Sequence, residues 1–148
     1  MNTYHWNMPT RVVFGAGVFA RLVQYCPPDR IRPFVVTGRH SARAGGLIDR
    51  LLEAFPEAVV CDGVDENPGT SVCETAAARC RGAGCDFVIG LGGGSAMDAA
   101  KIIAVLAVND QSCASLFGND QYTHAPLPII AIPTTAGTGS EVTPYSVL

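Results

Sequence analysis

The chain has 148 residues, of which 48 % are apolar and 16 % charged, with a formal net charge of −3. That length suits one domain with a sizeable core, the composition excludes a disordered chain, and the acidic balance leaves no basic footprint for nucleic acid. The longest apolar runs, such as IIAVLAV (102–108), are too short to span a bilayer, and the opening MNTYHWNMPTR lacks the layout of a signal peptide, so a cytoplasmic location is expected.

Short β-rich runs alternate with longer helical patterns along the chain. RVVF (11–14) reads as a strand and GVFARLVQY (17–25) as a helix. PFVVTG (33–38) is a second strand, followed by a helical stretch over 42–55. EAVVCD (57–62) is a third strand, and TSVCETAAARCRGAG (70–84) a helix stopped by glycines. DFVIGLG (86–92) is a fourth strand, SAMDAAKIIAVLAV (95–108) an alanine-rich helix, and LPIIAIP (127–133) a fifth strand. The strands are nearly continuous apolar runs, which marks a parallel sheet covered on both faces. The alternation predicts an open α/β sheet with helices on both faces, a Rossmann-like dinucleotide-binding domain over 1–148. The closing PYSVL (144–148) reads as the start of a further strand, an incomplete hairpin, and so as a fragment of a longer protein.

Six cysteines (Cys26, Cys61, Cys73, Cys80, Cys85, Cys113) form no C-x-x-C pair, which argues against structural zinc. Several lie in apolar stretches, where a thiol acts as a small hydrophobe. His5, His40 and His124 are scattered and read as surface or structural residues.

Two glycine-rich turns compete for a phosphate. GAGVFA (15–20) satisfies G-x-G-x-x-A, but the fingerprint also asks for an acidic residue at the end of the following strand. That strand ends VVTGRHS, without a carboxylate, so GAGVFA reads as a tight turn. GLGGGSAMDAAK (90–101) instead delivers Gly92, Gly93 and Gly94 from a strand to a helix N-terminus. Residues without side chains let an anion reach backbone N–H groups, and the helix dipole favours negative charge there. Ser95 and Asp98 have the spacing of a loose N-cap pair. IPTTAGTGSEVTP (132–144) follows the next strand and interleaves Thr134, Thr135, Thr138 and Ser140 with glycines. Two such loops after neighbouring strands point to a shared cleft for a diphosphate and ribose.

GLGGGSAMDAAK together with PIIAIPTTAGTGSEVT closely resembles the N-terminal nucleotide-binding half of the iron-containing (group III) alcohol dehydrogenases, with RVVFGAG and ENPG in the same order. Glycerol dehydrogenases and dehydroquinate synthases share the architecture, while PTTAGTGSE points to the alcohol dehydrogenase branch. The resemblance implies a pyrophosphate site at Gly93, Gly94 and Ser95 with Gly92 beside it and a contact from Asp98. It also implies a cofactor-lining role for Thr134, Thr135 and Thr138, with Ser140 in the same loop, and a place beside the adenosine for Asn67.

The cofactor implied is NAD or NADP. Members preferring NAD often carry an aspartate where this chain has Gly38; its absence, with Arg39 and Ser41 alongside, makes NADP plausible, since arginine suits phosphate. The family's iron or zinc is held by an aspartate and histidines of a helical C-terminal domain, none of which is matched here. The implied activity is hydride transfer between nicotinamide and a small alcohol or aldehyde. This chain is expected to supply the cofactor half, without catalytic or metal residues of its own and with no nucleic-acid or membrane partner; homo-oligomer formation stays open. The rival readings are a non-catalytic nucleotide-binding module and an enzyme of the dehydroquinate synthase or glycerol dehydrogenase type.

Overall fold

The structure, a computed structural model, describes residues 8–39, 41–118 and 121–148. Its centre is a four-stranded parallel sheet of β1 (Pro33–Gly38), β2 (Val59–Val64), β3 (Phe87–Gly92) and β4 (Ile129–Pro133), in the order β2-β1-β3-β4. The chain belongs to the open α/β class, as expected. β1 and β3 are the central strands and are buried almost throughout, which explains their unbroken apolar runs.

The helices are α1 (Ser41–Ala44), α2 (Leu47–Ala54), α3 (Thr70–Gly82) and α4 (Gly94–Leu106). Alternate residues of the central strands point to opposite faces. Val35, Phe87, Ile89 and Leu91 pack with Ile48, Leu51 and Phe55 on the α2 face. Phe34, Val36 and Val88 pack with Cys73, Ala77, Cys80, Ala100 and Ile103 on the face of α3 and α4. From β1 the chain moves outward to β2 across one face. It then returns past β1 to β3 and on to β4 across the other, so the strand order reverses between β1 and β3. Ligands of open α/β sheets collect at such a reversal, beyond the carboxyl ends of the strands.

The six cysteines are free thiols. Burial pushes those of Cys73 and Cys80 up to about 12, so they remain neutral and act as core side chains.

Two predicted elements differ. Residues 11–14 form no strand: Val12 is 59 % and Phe14 97 % exposed, and no described strand pairs with them. Their β-branched and aromatic side chains fit a pleated surface, but a strand also needs a ladder partner. Residues 18–25 form a 3-10 helix (Val18–Tyr25) rather than an α-helix. It opens on Gly17 in the left-handed region, has non-helical angles at Arg21 and buries Leu22 alone. GAGVFA is thus a turn into that helix.

α4 crosses β3 at very short range. A Cβ on Gly90 would stand 2.9 Å from Ala100 Cβ and 3.1 Å from Met97 Cα. Alanines 96, 99, 100 and 104, all buried, keep the helix side of the contact equally thin. Overpacking such a contact costs about 1–3 kcal/mol. Gly90→Ala is therefore expected to lower the urea unfolding free energy by that amount, and an unchanged midpoint would show that α4 has room to spare.

Candidate functional site

All four strands end at one edge, and the segments leaving them converge there. Gly92 closes β3 with a φ of 154°, a conformation that favours glycine. A Cβ at this position would stand 3.0 Å from Ala96 Cβ and 3.7 Å from the Gly38 amide nitrogen. Gly38 and Gly92 therefore flank the point where the strand order reverses. Beyond β4, the Thr134 amide donates to the Gly92 carbonyl (2.8 Å), which fastens the threonine-rich loop to the glycine loop.

α4 begins at Gly94, with Gly93 as its N-cap residue and no side chain capping it. The expected Ser95–Asp98 cap does not form, because both side chains work elsewhere. Ser95 Oγ accepts from the Asn67 amide (3.4 Å), which joins the loop after β2 to the helix start. Asn67 itself sits in the left-handed region at φ 53°, which asparagine tolerates better than most residues.

Asp98 is buried on α4. Its Oδ1 accepts from Lys101 Nζ (3.0 Å) and its Oδ2 from the Val147 amide (3.1 Å). Lys101 Nζ also donates to the Tyr145 carbonyl (2.6 Å) and lies 3.5 Å from Thr143 Oγ1. Residues 144–148 accordingly form no strand; they run as irregular chain held against α4. The incomplete hairpin is replaced by a latch. Its sequence signal is an Asp–Lys pair at i,i+3 on one helix face, and Lys101 was not among the expected site residues.

The three glycines play different parts. A Cβ at Gly94 would meet Thr138 Cγ2 at 3.1 Å and Ser140 Oγ at 3.2 Å, so this glycine makes room for the chain's own loop. Ser140 is buried in that contact. A Cβ at Gly93 would meet only Thr135 Oγ1, at 3.6 Å, and its φ of −80° suits any residue. Gly93 is therefore the open side of the cradle.

At the ends of β1 and β2, Arg39 is already engaged. Its Nε lies 2.6 Å from Asp65 Oδ1, and its Nη2 donates to Asp65 Oδ2 at 2.7 Å. Arg39, expected to attract a phosphate, is thus ion-paired in this structure with a carboxylate from the segment that follows β2, a partner that sequence order hid. Arg43 pairs with Asp62 and holds that carboxyl below its usual range, through their hydrogen bond first and charge attraction second. Of Ser41 only the backbone, at the start of α1, is described; His40 and His5 lie outside the described residues.

Three features fit an anionic, hydroxyl-bearing ligand at this edge. The uncapped helix start leaves amide N–H groups without intrahelical partners; the face over Gly93 is open; and Glu141 Oε2, just past the threonine loop, is buried with no hydrogen-bond partner among the described residues. A metal is a different matter. Among the described residues no three His, Cys, Asp or Glu side chains gather into a metal site, so these residues do not fit a resident iron.

An open parallel sheet with glycine- and threonine-rich loops at its reversal point defines a Rossmann-like nucleotide-binding fold. The model for iron-containing alcohol dehydrogenases matches residues 9–148, and the chain belongs to that family. It is 37 % identical over 140 residues to the 4-hydroxybutyrate dehydrogenase of Cupriavidus necator, covering 90 % of this chain and 36 % of that protein. An iron-containing alcohol dehydrogenase from Thermotoga maritima superposes with a TM-score of 0.86 at 40 % identity, over 99 % of this chain and 42 % of that one. The sulfoacetaldehyde reductase of Bifidobacterium kashiwanohense, solved in complex with NAD+, gives 0.84 at 32 % identity, over 97 % of this chain and 39 % of that one. The chain thus spans about two fifths of the length of such relatives.

The latch yields a test of its own. The Asp98 and Lys101 side chains are 10 % and 12 % exposed, and removing one partner of a buried ion pair costs about 3–5 kcal/mol. Lys101→Met is expected to destabilise the chain at the lower end of that range in urea unfolding and to loosen the amides of residues 145–147 in hydrogen exchange. A loss below about 0.5 kcal/mol, within the scatter of ordinary surface substitutions, would mean that the latch holds nothing.

Proposed function

We propose that this chain supplies the cofactor-binding half of a nicotinamide-dependent alcohol dehydrogenase or aldehyde reductase, acting on a small alcohol or aldehyde. The observation that carries the reading is the convergence of the 92–95 and 134–140 loops around the uncapped start of α4. Anionic oxygens are stabilised at such a helix start by oriented N–H groups and by the dipole, with no basic side chain required. In this assignment the Gly93, Gly94 and Ser95 backbone cradles the pyrophosphate. Thr134, Thr135 and Thr138 line the same cleft, and the Ser140 side chain wedges the threonine loop against Gly94. Gly38 and Asn67 border the adenosine side, at the ends of β1 and β2.

When bound, the nicotinamide supplies hydride chemistry toward a carbonyl. The part played by these residues is to bind and orient it: the Thr134–Gly92 hydrogen bond and the Asp98–Lys101 latch hold both ends of the threonine loop in register with the glycine loop. Asp98 serves the site through that latch. Lewis-acid help from a metal lies outside what these residues provide. The NAD+ complex of the related sulfoacetaldehyde reductase supports the choice of cofactor. A cytoplasmic setting belongs to the same reading, and six free thiols support it.

Gly93→Val is the direct test. The backbone at this position is ordinary extended and a Cβ there meets only Thr135, at contact distance, so the fold is expected to survive while the diphosphate is crowded out. Calorimetry with NAD+ should show a loss of roughly tenfold or more in affinity, about 1.4 kcal/mol, at an unchanged melting temperature. Native affinity in a folded Gly93→Val chain would overturn the site. Gly94→Val is a blunter probe, since it displaces Thr138 and Ser140 first.

A further inference from the structure

The end of α3 carries two cysteines that its own cap brings together. The helix stops before Gly84, whose φ of 65° lies in the left-handed region. The Cys85 amide donates to the Cys80 carbonyl (3.1 Å), and the Gly84 amide donates to the Arg81 carbonyl (3.0 Å). Those two bonds define a Schellman cap, which commonly sets the side chains of its first and last residues against each other. Here these residues are Cys80 and Cys85. Both lie in the core cluster between the sheet and α3, at 0 % and 8 % exposure, and the Cys80 thiol donates toward the Cys85 sulfur. An apolar pair would close the cap equally well, but two thiols in that contact can also react with each other.

We propose that Cys80 and Cys85 are a peroxide-sensitive dithiol, a modification site that closes to a disulfide across the end of α3 and reopens on reduction. The two thiols are unequal. Burial raises that of Cys85, while the Cys80 donor and then the Arg32 guanidinium draw it down. Arg32 is held near the cap by donating from Nη1 to the Ala83 carbonyl (2.9 Å). Cys80 has no exposed surface and is pushed up to about 12, by burial first and by Cys85 second. Cys85 is therefore the attacking sulfur and Cys80 the resolving one. In the first step the Cys85 thiolate attacks an oxygen of hydrogen peroxide. The O–O bond breaks, and the departing hydroxide takes up the proton that Cys85 released. In the second step the Cys80 sulfur attacks the Cys85 sulfenic acid. The S–S bond forms, the S–O bond breaks, and the Cys80 proton leaves with the oxygen as water. Two thiols have then given up two electrons, and peroxide has become two waters. The reaction is slow, because burial keeps the thiolate scarce. It spares the fold, because the backbone cap already holds the two residues together.

The test is disulfide mapping on the folded native chain. Hydrogen peroxide is added, remaining thiols are alkylated in denaturant, and the tryptic digest is read by mass spectrometry. Trypsin cuts after Arg79, Arg81 and Lys101, so the disulfide joins the Cys80–Arg81 dipeptide to the peptide 82–101. That cross-linked species is expected to be the main disulfide product, to vanish on treatment with dithiothreitol, and to leave the circular dichroism of the chain unchanged. Cys80→Ser removes the resolving thiol, so Cys85 is expected to stop at the sulfenic acid and be captured by dimedone. The native chain should give little of that adduct. Full alkylation of Cys80 and Cys85 at a peroxide dose that oxidises the half-buried Cys61 overturns the proposal. So does pairing of either residue with another cysteine, or a cross-link that forms only when peroxide is added in urea. The mapping on the native chain decides the matter whether or not the Cys80→Ser chain folds.

Discussion

Everything at the candidate site depends on how closely α4 lies over β3. With a glycine at position 90 and alanines facing it, the helix comes within a distance that no added Cβ would permit. That approach sets the height of the α4 N-terminus relative to the sheet edge. It also lets the chain turn from Gly92 into the helix through only Gly93. A helix held farther out would need a longer connection, and its amide groups would no longer face the loop that follows β4. Packing on one face of the sheet thus decides the electrostatics of its edge.

The edge itself is assembled from short-range contacts between loops that are far apart in sequence. Thr134 bonds to Gly92, Asn67 to Ser95, and Gly94 leaves space for Thr138 and Ser140. The buried Asp98–Lys101 pair holds residues 145–147 against α4 and so anchors the far end of the threonine loop. Asp98 sits one turn inside the helix, where its charge is spent on the chain's own amide and ammonium groups. In this arrangement the pyrophosphate assigned to the cleft meets backbone dipoles, which suits an acidic protein with few cations near the site.

Much of this was legible in the sequence. The continuous apolar runs of 33–38 and 86–92 announced buried parallel strands, and the start of the helix following GLGGG was placed to within a residue. What escaped was non-local. Residues 11–14 have strand-like side chains but no partner strand among the described residues, and propensity cannot report a missing neighbour. The closing PYSVL looked like a strand because its only rival, a latch to Asp98 and Lys101 from more than forty residues away, leaves no periodic trace. Arg39 looked free for the same reason. Its partner Asp65 is 26 residues further on and becomes a neighbour only through the β1–β2 register. The glycines illustrate a subtler limit: three in a row signal a close approach, but only coordinates say that Gly94 accommodates the protein and Gly93 faces outward.

The central claim is that a dinucleotide binds where the glycine and threonine loops meet. Backbone amide resonances followed during titration of the native chain with NAD+ test it most directly. The account predicts saturable shifts concentrated at Gly93, Gly94 and Ser95 and in the 134–140 loop, with smaller ones at Gly38 and Asn67. Shifts centred elsewhere, such as the shallow groove between Cys61 and Arg79 on the outer side of α3, or no saturable shifts at all, would contradict it.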